Sequence, residues 1–140
     1  MNILYPAYIK QEDERYTVYF PDLEEAITEG ETLEEAFFQA AEVLTLTLEG
    51  RMEEGIPIPE PSNLKDTYLI SPSARVQAAL LLKLAKGEHT NSELARTLET
   101  SWASISRLEN PQHWPSLRQL ERVAAALGQR LIISLEPNIR

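Results

Sequence analysis

The chain has 140 residues, of which 43% are hydrophobic and 25% charged, an ordinary composition for one globular domain or two small ones. With no cysteine and only two histidines, it lacks the means for a disulfide framework, a thiolate metal site or a cysteine nucleophile, and we expect neither a metal nor a cofactor. No run of about 18 apolar residues exists and the N-terminus does not resemble a signal peptide, so we expect no membrane span and a cytoplasmic location.

Charge is distributed unevenly along the chain. The net charge of −9 argues against nucleic-acid binding by the molecule as a whole, because a polyanion is bound chiefly through lysine and arginine. Residues 1 to 73, however, hold four basic and sixteen acidic side chains, net −12, whereas residues 74 to 140 hold nine basic and six acidic ones, net +3. This asymmetry predicts two domains, an acidic one for a positively charged partner and a basic one for DNA.

The acidic half begins with a predicted hairpin. Residues 3 to 10 and 16 to 20 are rich in isoleucine, tyrosine and alternating apolar positions, which favours strands, and the polar residues 11 to 15 would form the turn. Pro6 has no N–H to donate, so it favours an edge or a point where one ladder bond is absent. A third short strand is predicted at residues 26 to 29.

A helix is predicted from Thr32, whose hydroxyl can cap the amide of Glu35 while Glu35 reaches back to the cap. Its predicted buried stripe follows helical spacing and should pack on the sheet, with the glutamates largely solvated. The stripe comprises Leu33, Phe37, Ala40, Leu44 and Leu48, and the glutamates are Glu34, Glu35, Glu42 and Glu49. A proline-rich exit follows, then a last strand at residues 67 to 70, with the domain boundary after Ser71.

A family resemblance is carried by two segments that follow the first two predicted strands, FPDLEEAITEGETLEEAFFQAAEVL and EEGIPIPEPS. In order and spacing, residues 1 to 72 resemble the N-terminal domain of HicB-type antitoxins. The resemblance implies a partial ribonuclease-H-like β-β-β-α-β fold that acts as a binding domain. The implied partner is a small basic ribonuclease toxin of the HicA type, an mRNA interferase, which the antitoxin holds inactive.

The basic half is predicted to consist of short helices, with helix ends at Gly87 and Gly128 and caps at Thr90 and Ser116. The first helix should turn Val76, Ala79, Leu80 and Leu84 inward. Residues 90 to 108 form the pattern of a helix-turn-helix, in which Ala95 allows the two helices to cross closely and Leu98 and Ile105 complete the core. Residues 73 to 128 resemble phage-repressor-like regulators and the subset of HicB-type antitoxins that carry such a domain.

The second helix of this motif is the expected DNA-reading helix. One departure from the family pattern is Glu99, which stands in the turn where glycine is usual. The predicted DNA contacts are Ser101, Trp102, Ala103, Ser106 and Arg107. Arg107 can donate two bonds to guanine and Ser101 can meet a phosphate, whereas Trp102 either contacts a thymine methyl or covers the domain's own core.

The C-terminal segment RLIISL, residues 130 to 135, is predicted to be a strand. An exposed apolar terminal strand tends to pair with a copy of itself, and Leu131, Ile133 and Leu135 would form the dimer contact. Two reading helices joined in this way would meet the major groove of half-sites about 34 Å apart, so a palindromic operator is expected. The expected assembly is a homodimer, and a tetramer of two dimers is the alternative.

Two other functions are compatible with the sequence. A ribonuclease-H-like fold can be a metal-dependent nuclease, although only Asp22 stands at a plausible strand end, and we expect no enzyme. His89 and His113 flank the motif in loops, where a solvent or phosphate contact is favoured over catalysis. A ligand-responsive repressor without a toxin partner is the other alternative. The favoured hypothesis is an antitoxin that neutralises a HicA-type toxin and represses its own operon.

Overall fold

The computed structural model describes residues 3 to 137, and the chain divides into two compact units between Ser73 and Ala74. The first unit contains strands β1 Tyr5–Glu12, β2 Arg15–Phe20, β3 Leu23–Gly30 and β4 Tyr68–Ile70 and helix α1 Leu33–Glu54. The second contains helices α2 Ala74–Lys86, α3 Asn91–Thr97, α4 Trp102–Leu108 and α5 Leu117–Ala126. The molecule is therefore of mixed α+β class. Within residues 3 to 137, no helix is both long and apolar enough to cross a membrane.

The first unit is a four-stranded antiparallel sheet in the order β3-β2-β1-β4. Each predicted strand and the helix of this unit are present, but the predicted turn at residues 11 to 15 is wrong, because β1 extends to Glu12 and β2 begins at Arg15. The turn contains only Asp13 and Glu14, both with positive φ (47° and 65°), so the polar residues on either side belong to strands. Pro6 pairs with Leu69 of β4, before the pairing of β1 with β2 begins at Tyr8, so its missing N–H costs no bond to β2.

Helix α1 covers one face of the sheet. Its fully buried apolar residues are Ala36, Ala40, Leu44 and Leu48. The predicted stripe is therefore correct from Ala40 onward but wrong at Leu33, which lies in the first turn and is 37% exposed. Thr32 caps the helix as predicted by accepting from Glu35 N at 3.1 Å, while the Glu35 carboxylate accepts from Glu31 N rather than from the cap itself.

Glu49 is buried, so the prediction that it is solvated is wrong. It lies one helical turn beyond Thr45, whose hydroxyl accepts from Ser73 N at 2.9 Å. The chain leaving β4 thus runs along this side of α1. Helical periodicity does not predict the contact between Thr45 and Ser73, because the two residues are distant along the chain.

The second unit buries two adjoining apolar clusters. One contains Leu82, Leu108 and Val123, and the other contains Leu94, Ala95 and Ile105. Leu98 and Leu127 pack against both clusters, which joins α2 and α5 to the α3–α4 pair. Val76, Ala79 and Leu80 are buried as predicted.

The prediction for Leu84 is wrong. Its side chain is 54% exposed, and Leu82 is buried in its place. Residues 82 and 84 are two positions apart, about 200° around a helix, so they lie on nearly opposite sides. Leu82 takes the inward position because it is the residue that meets Leu108 of α4 and Val123 of α5.

Candidate functional sites

The two short helices α3 and α4 are each begun by a side-chain cap. Thr90 accepts from Glu93 N at 3.1 Å and Ser101 accepts from Ser104 N at 3.1 Å. Between the helices the chain reverses at Glu99, which has φ 53°, and Thr100 N donates to Ala95 O at 2.9 Å. Glu99 therefore has the left-handed backbone that accounts for the usual glycine at this position of the motif. The turn closes without glycine because the helices on both sides are anchored by the apolar cluster.

The three residues predicted to form the motif core lie together. Ala95 and Ile105 belong to one buried cluster, and Leu98 packs against it. Ala95 is 7% exposed at the point where α3 lies against α4, where a longer side chain would push the helices apart. This cluster fixes which side of α4 points outward.

The outward side of α4 carries the predicted DNA contacts. Ser101, Trp102, Ala103 and Arg107 are exposed, and Ser106 is half-buried. Trp102 is 57% exposed, so most of its ring is not engaged in covering the unit's core. The Ser101 hydroxyl is already occupied as the helix cap and lies 2.9 Å from Ser104 Oγ, which reduces its freedom to reach a phosphate.

An ion pair that the sequence analysis missed ties three of these helices together. Lys86 Nζ, at the end of α2, donates to Asn91 Oδ1 at 3.0 Å and lies 2.6 Å from a carboxylate oxygen of Glu109. Asn91 begins α3 and Glu109 ends α4, so one half-buried ammonium group fixes both helices relative to α2. No local spacing rule connects positions 86 and 109, and only the folded chain reveals the pair.

The two histidines differ in their surroundings. His89 lies 3.3 Å from the Glu93 carboxylate on the exposed start of α3. His113 has its Nε2 atom buried, with no hydrogen-bond partner among the described residues. The prediction that His113 makes a solvent or phosphate contact is therefore wrong for Nε2.

Several polar groups of the acidic unit hold the proline-rich exit segment, residues 55 to 72, which contains the sequence IPIPEPS. Tyr5 donates its hydroxyl to Pro59 O at 2.6 Å, and burial, with the nearby Asp22 charge, raises the pKa of Tyr5 to about 12. The Asp22 carboxylate accepts from Ser62 N at 2.9 Å and from its hydroxyl at 2.5 Å. Asp22, the candidate metal ligand of the nuclease alternative, thus holds the loop at Ser62 in place. Among residues 3 to 137, no group of three histidine, aspartate or glutamate side chains is arranged to hold a metal ion.

A second set of hydrogen bonds, donated by Arg51 of α1, joins β3, the exit segment and α1. Arg51 donates to both carboxylate oxygens of Glu25, at 2.7 and 2.6 Å, and to Pro57 O at 3.0 Å. The hydrogen bonds from Arg51 lower the pKa of Glu25 to about 2. The IPIPEPS segment is therefore pinned by Tyr5, Asp22 and Arg51 beside the sheet.

The predicted dimer segment lies at the end of the described chain. Leu131, Ile133 and Leu135 are 37%, 65% and 98% exposed, and residues 131 to 137 form no strand within the single chain. A strand that pairs with a second copy acquires its hydrogen bonds only when that copy is present, so pairing through this segment stays a prediction.

The chain is similar in sequence to known proteins. Residues 4–78 match the family model described as the HicB-like antitoxin of bacterial toxin–antitoxin systems. The chain is 34% identical over 119 residues to antitoxin HicB of Escherichia coli K12, an alignment that covers 83% of this chain and 86% of that protein. It is 30% identical over 131 residues to antitoxin HicB 2 of Photorhabdus laumondii, covering 93% of this chain and 94% of that protein. The similarity thus extends over both units.

Proposed function

Because the chain belongs to the HicB-like family of antitoxins of bacterial toxin–antitoxin systems, we propose that it neutralises a HicA-type ribonuclease toxin and represses its own operon. The antitoxin role itself follows from the family. The observation that carries the second activity is the exposed side of α4, where Arg107 and Trp102 stand outward on a helix whose other side is fixed by the core.

The acidic unit is the proposed toxin-binding part. Its net charge of −12 attracts a basic protein and repels DNA, so it speeds the encounter with a cationic toxin. In the proposed mechanism, this unit covers the toxin's active site, and apolar contacts and hydrogen bonds then set the lifetime of the complex.

The basic unit is the proposed operator-binding part, and it acts as a dimer. Its net charge of +3 and exposed arginines supply attraction to phosphates, while Arg107 can donate a pair of hydrogen bonds to a guanine edge. Trp102, Ala103 and Ser106 lie beside Arg107 and are the proposed additional contacts in the major groove, with Ser101 at the helix start. Pairing of Leu131, Ile133 and Leu135 with a second copy would place two α4 helices on a palindromic site, and two dimers can form a tetramer.

The test compares Arg107→Ala with Arg118→Ala in the full chain. Both substitutions remove one exposed arginine from the basic unit, but Arg118 lies on α5. We expect Arg107→Ala to lower operator affinity by about 1–3 kcal/mol, and Arg118→Ala to have a much smaller effect. Fluorescence anisotropy with operator DNA, at one fixed salt concentration, measures both.

The same two variants should rescue growth from the co-expressed toxin as well as the wild-type protein does. Equal operator affinity of Arg107→Ala and wild type would show that α4 is not the reading helix. Loss of growth rescue in Arg107→Ala would instead contradict the assignment of toxin binding to the acidic unit.

A further inference from the structure

The sheet of the first unit has a second face, opposite α1. Side chains alternate along a strand, so the residues on this face are fixed by the register. Tyr8, Tyr19 and Ile27 lie opposite one another on β1, β2 and β3, and Leu69 on β4 pairs with Pro6, two residues before Tyr8. In the first unit, the described residues form no helix other than α1, and α1 lies on the other face.

The centre of this face is a preformed aromatic platform. The rings of Tyr8 and Tyr19 stack with centroids 5.2 Å apart, and the Lys10 ammonium lies 5.3 Å above the Tyr19 ring. Ile27 and Leu69 flank the pair and are 61% and 59% exposed. Tyrosines held by cross-strand pairing lose little conformational entropy on binding, and such residues dominate the affinity of protein interfaces.

One end of the face is strongly acidic. The hairpin end presents Glu12, the last residue of β1, and the turn residues Asp13 and Glu14, all exposed, and Glu29 and Glu31 continue the acidic rim along the β3 side. The two cations nearby are already engaged. Arg15 lies 2.9 Å from Glu29 and 3.6 Å from Glu31, and Lys10 lies over Tyr19. The rim therefore keeps a negative charge that a basic surface can neutralise.

We infer that the toxin docks on this open face, with an apolar patch over Tyr8, Tyr19, Ile27 and Leu69 and a cluster of lysine or arginine residues against the hairpin end. This assignment rests on the proposed neutralisation of a basic toxin and names the surface that performs it. It combines the two properties expected of a specific interface with a cationic protein, a desolvated aromatic centre and a charged rim of opposite sign.

The outer surface of α1 is the competing candidate. It exposes Phe38 and Leu46, at 62% and 64%. These residues are two turns apart, about 12 Å along the helix, and Glu42 stands between them. They make no continuous platform, so α1 provides a matched control and not the favoured surface.

The experiment compares Ile27→Lys with Leu46→Lys in the full chain. Both positions lie in the same unit, are similarly exposed and receive the same charge, so the change in net charge is equal. Biolayer interferometry against the immobilised toxin of the same operon should give at least about tenfold weaker binding for Ile27→Lys and a change of less than about twofold for Leu46→Lys. Circular dichroism melting verifies that each variant is folded.

A second variant, Glu12→Gln combined with Glu14→Gln, tests the rim. We expect a slower association rate and a weaker dependence of that rate on salt, with little change in dissociation. An unchanged association rate would overturn the assignment of the hairpin end to a cationic cluster.

The outcomes separate the inference from its premise. If wild type binds the toxin and Ile27→Lys binds equally well, the open face is not the docking surface. The same conclusion follows if Leu46→Lys weakens binding as strongly as Ile27→Lys. If wild type itself fails to bind the toxin, the proposed neutralisation falls, and the assignment of the face falls with it.

Discussion

Glu99 shows how a single strained residue can be tolerated at a candidate functional site. Its φ of 53° lies in the region that costs a non-glycine residue about 1 kcal/mol. The cost is accepted because α3 and α4 are held on either side by the cluster of Leu94, Ala95 and Ile105. The strain was foreseeable from the sequence, since the spacing of the motif places the reversal at that residue.

Replacing Glu99 with glycine should therefore stabilise the second unit. Relief of strain is partly offset by the greater freedom of glycine in the unfolded chain, so we expect a gain of about 0.5–1 kcal/mol. Glu121→Gly, at an exposed position inside α5, is the control and should lose about 1 kcal/mol. Both tryptophans, Trp102 and Trp114, lie in this unit, so urea denaturation followed by tryptophan fluorescence reports on it alone. If Glu99→Gly lowers the stability of the second unit as Glu121→Gly does, the turn is unstrained.

Three helix beginnings were predicted correctly at the level of whole elements, because a cap depends on residues three positions apart. Thr32, Thr90 and Ser116 each accept the expected backbone N–H, and Ser116 with Gln119 forms the complete reciprocal box. Strand ends were predicted less well. β3 extends over Leu23–Gly30, although this segment has little of the composition of a strand, because pairing with β2 and cover by α1 impose the conformation.

The contact between β3 and α1 depends on Gly30. A Cβ atom at this position would lie 2.5 Å from Ala36 N, which is helix backbone and cannot move aside cheaply. Gly30→Ala should destabilise the first unit by about 1–3 kcal/mol, as overpacking does. Gly50→Ala inside α1, where a Cβ meets nothing within 4 Å, should stabilise it by about 1 kcal/mol.

The opposite signs of these two changes make the comparison sensitive. All five tyrosines lie in the first unit, so the NMR signals of the tyrosine rings during denaturation follow that unit. An unchanged midpoint for Gly30→Ala would mean that α1 can shift away from β3 without loss of packing.

For the molecule as a whole, the sequence shows an acidic and a basic half, and the two compact units have the same boundary as these halves. Net charges of −12 and +3 fall on either side of the boundary between Ser73 and Ala74. What the sequence could not provide were contacts between distant positions, such as Lys86 with Glu109 and Arg51 with Glu25. The pairing of Tyr8 with Tyr19 was equally hidden, because the register of the hairpin depends on its short turn.

A division of labour between the units predicts that the acidic one can act alone. The fragment should end at Ser73 and not at Ser71, the boundary expected from sequence, because Ser73 N donates to Thr45 Oγ1 on α1. We expect residues 1 to 73 to restore growth of cells that express the toxin, and to show no operator binding in fluorescence anisotropy. The fragment contains every tyrosine and no tryptophan, so its tyrosine circular dichroism verifies folding. A folded fragment that fails to restore growth would mean that the basic unit also contributes to toxin binding.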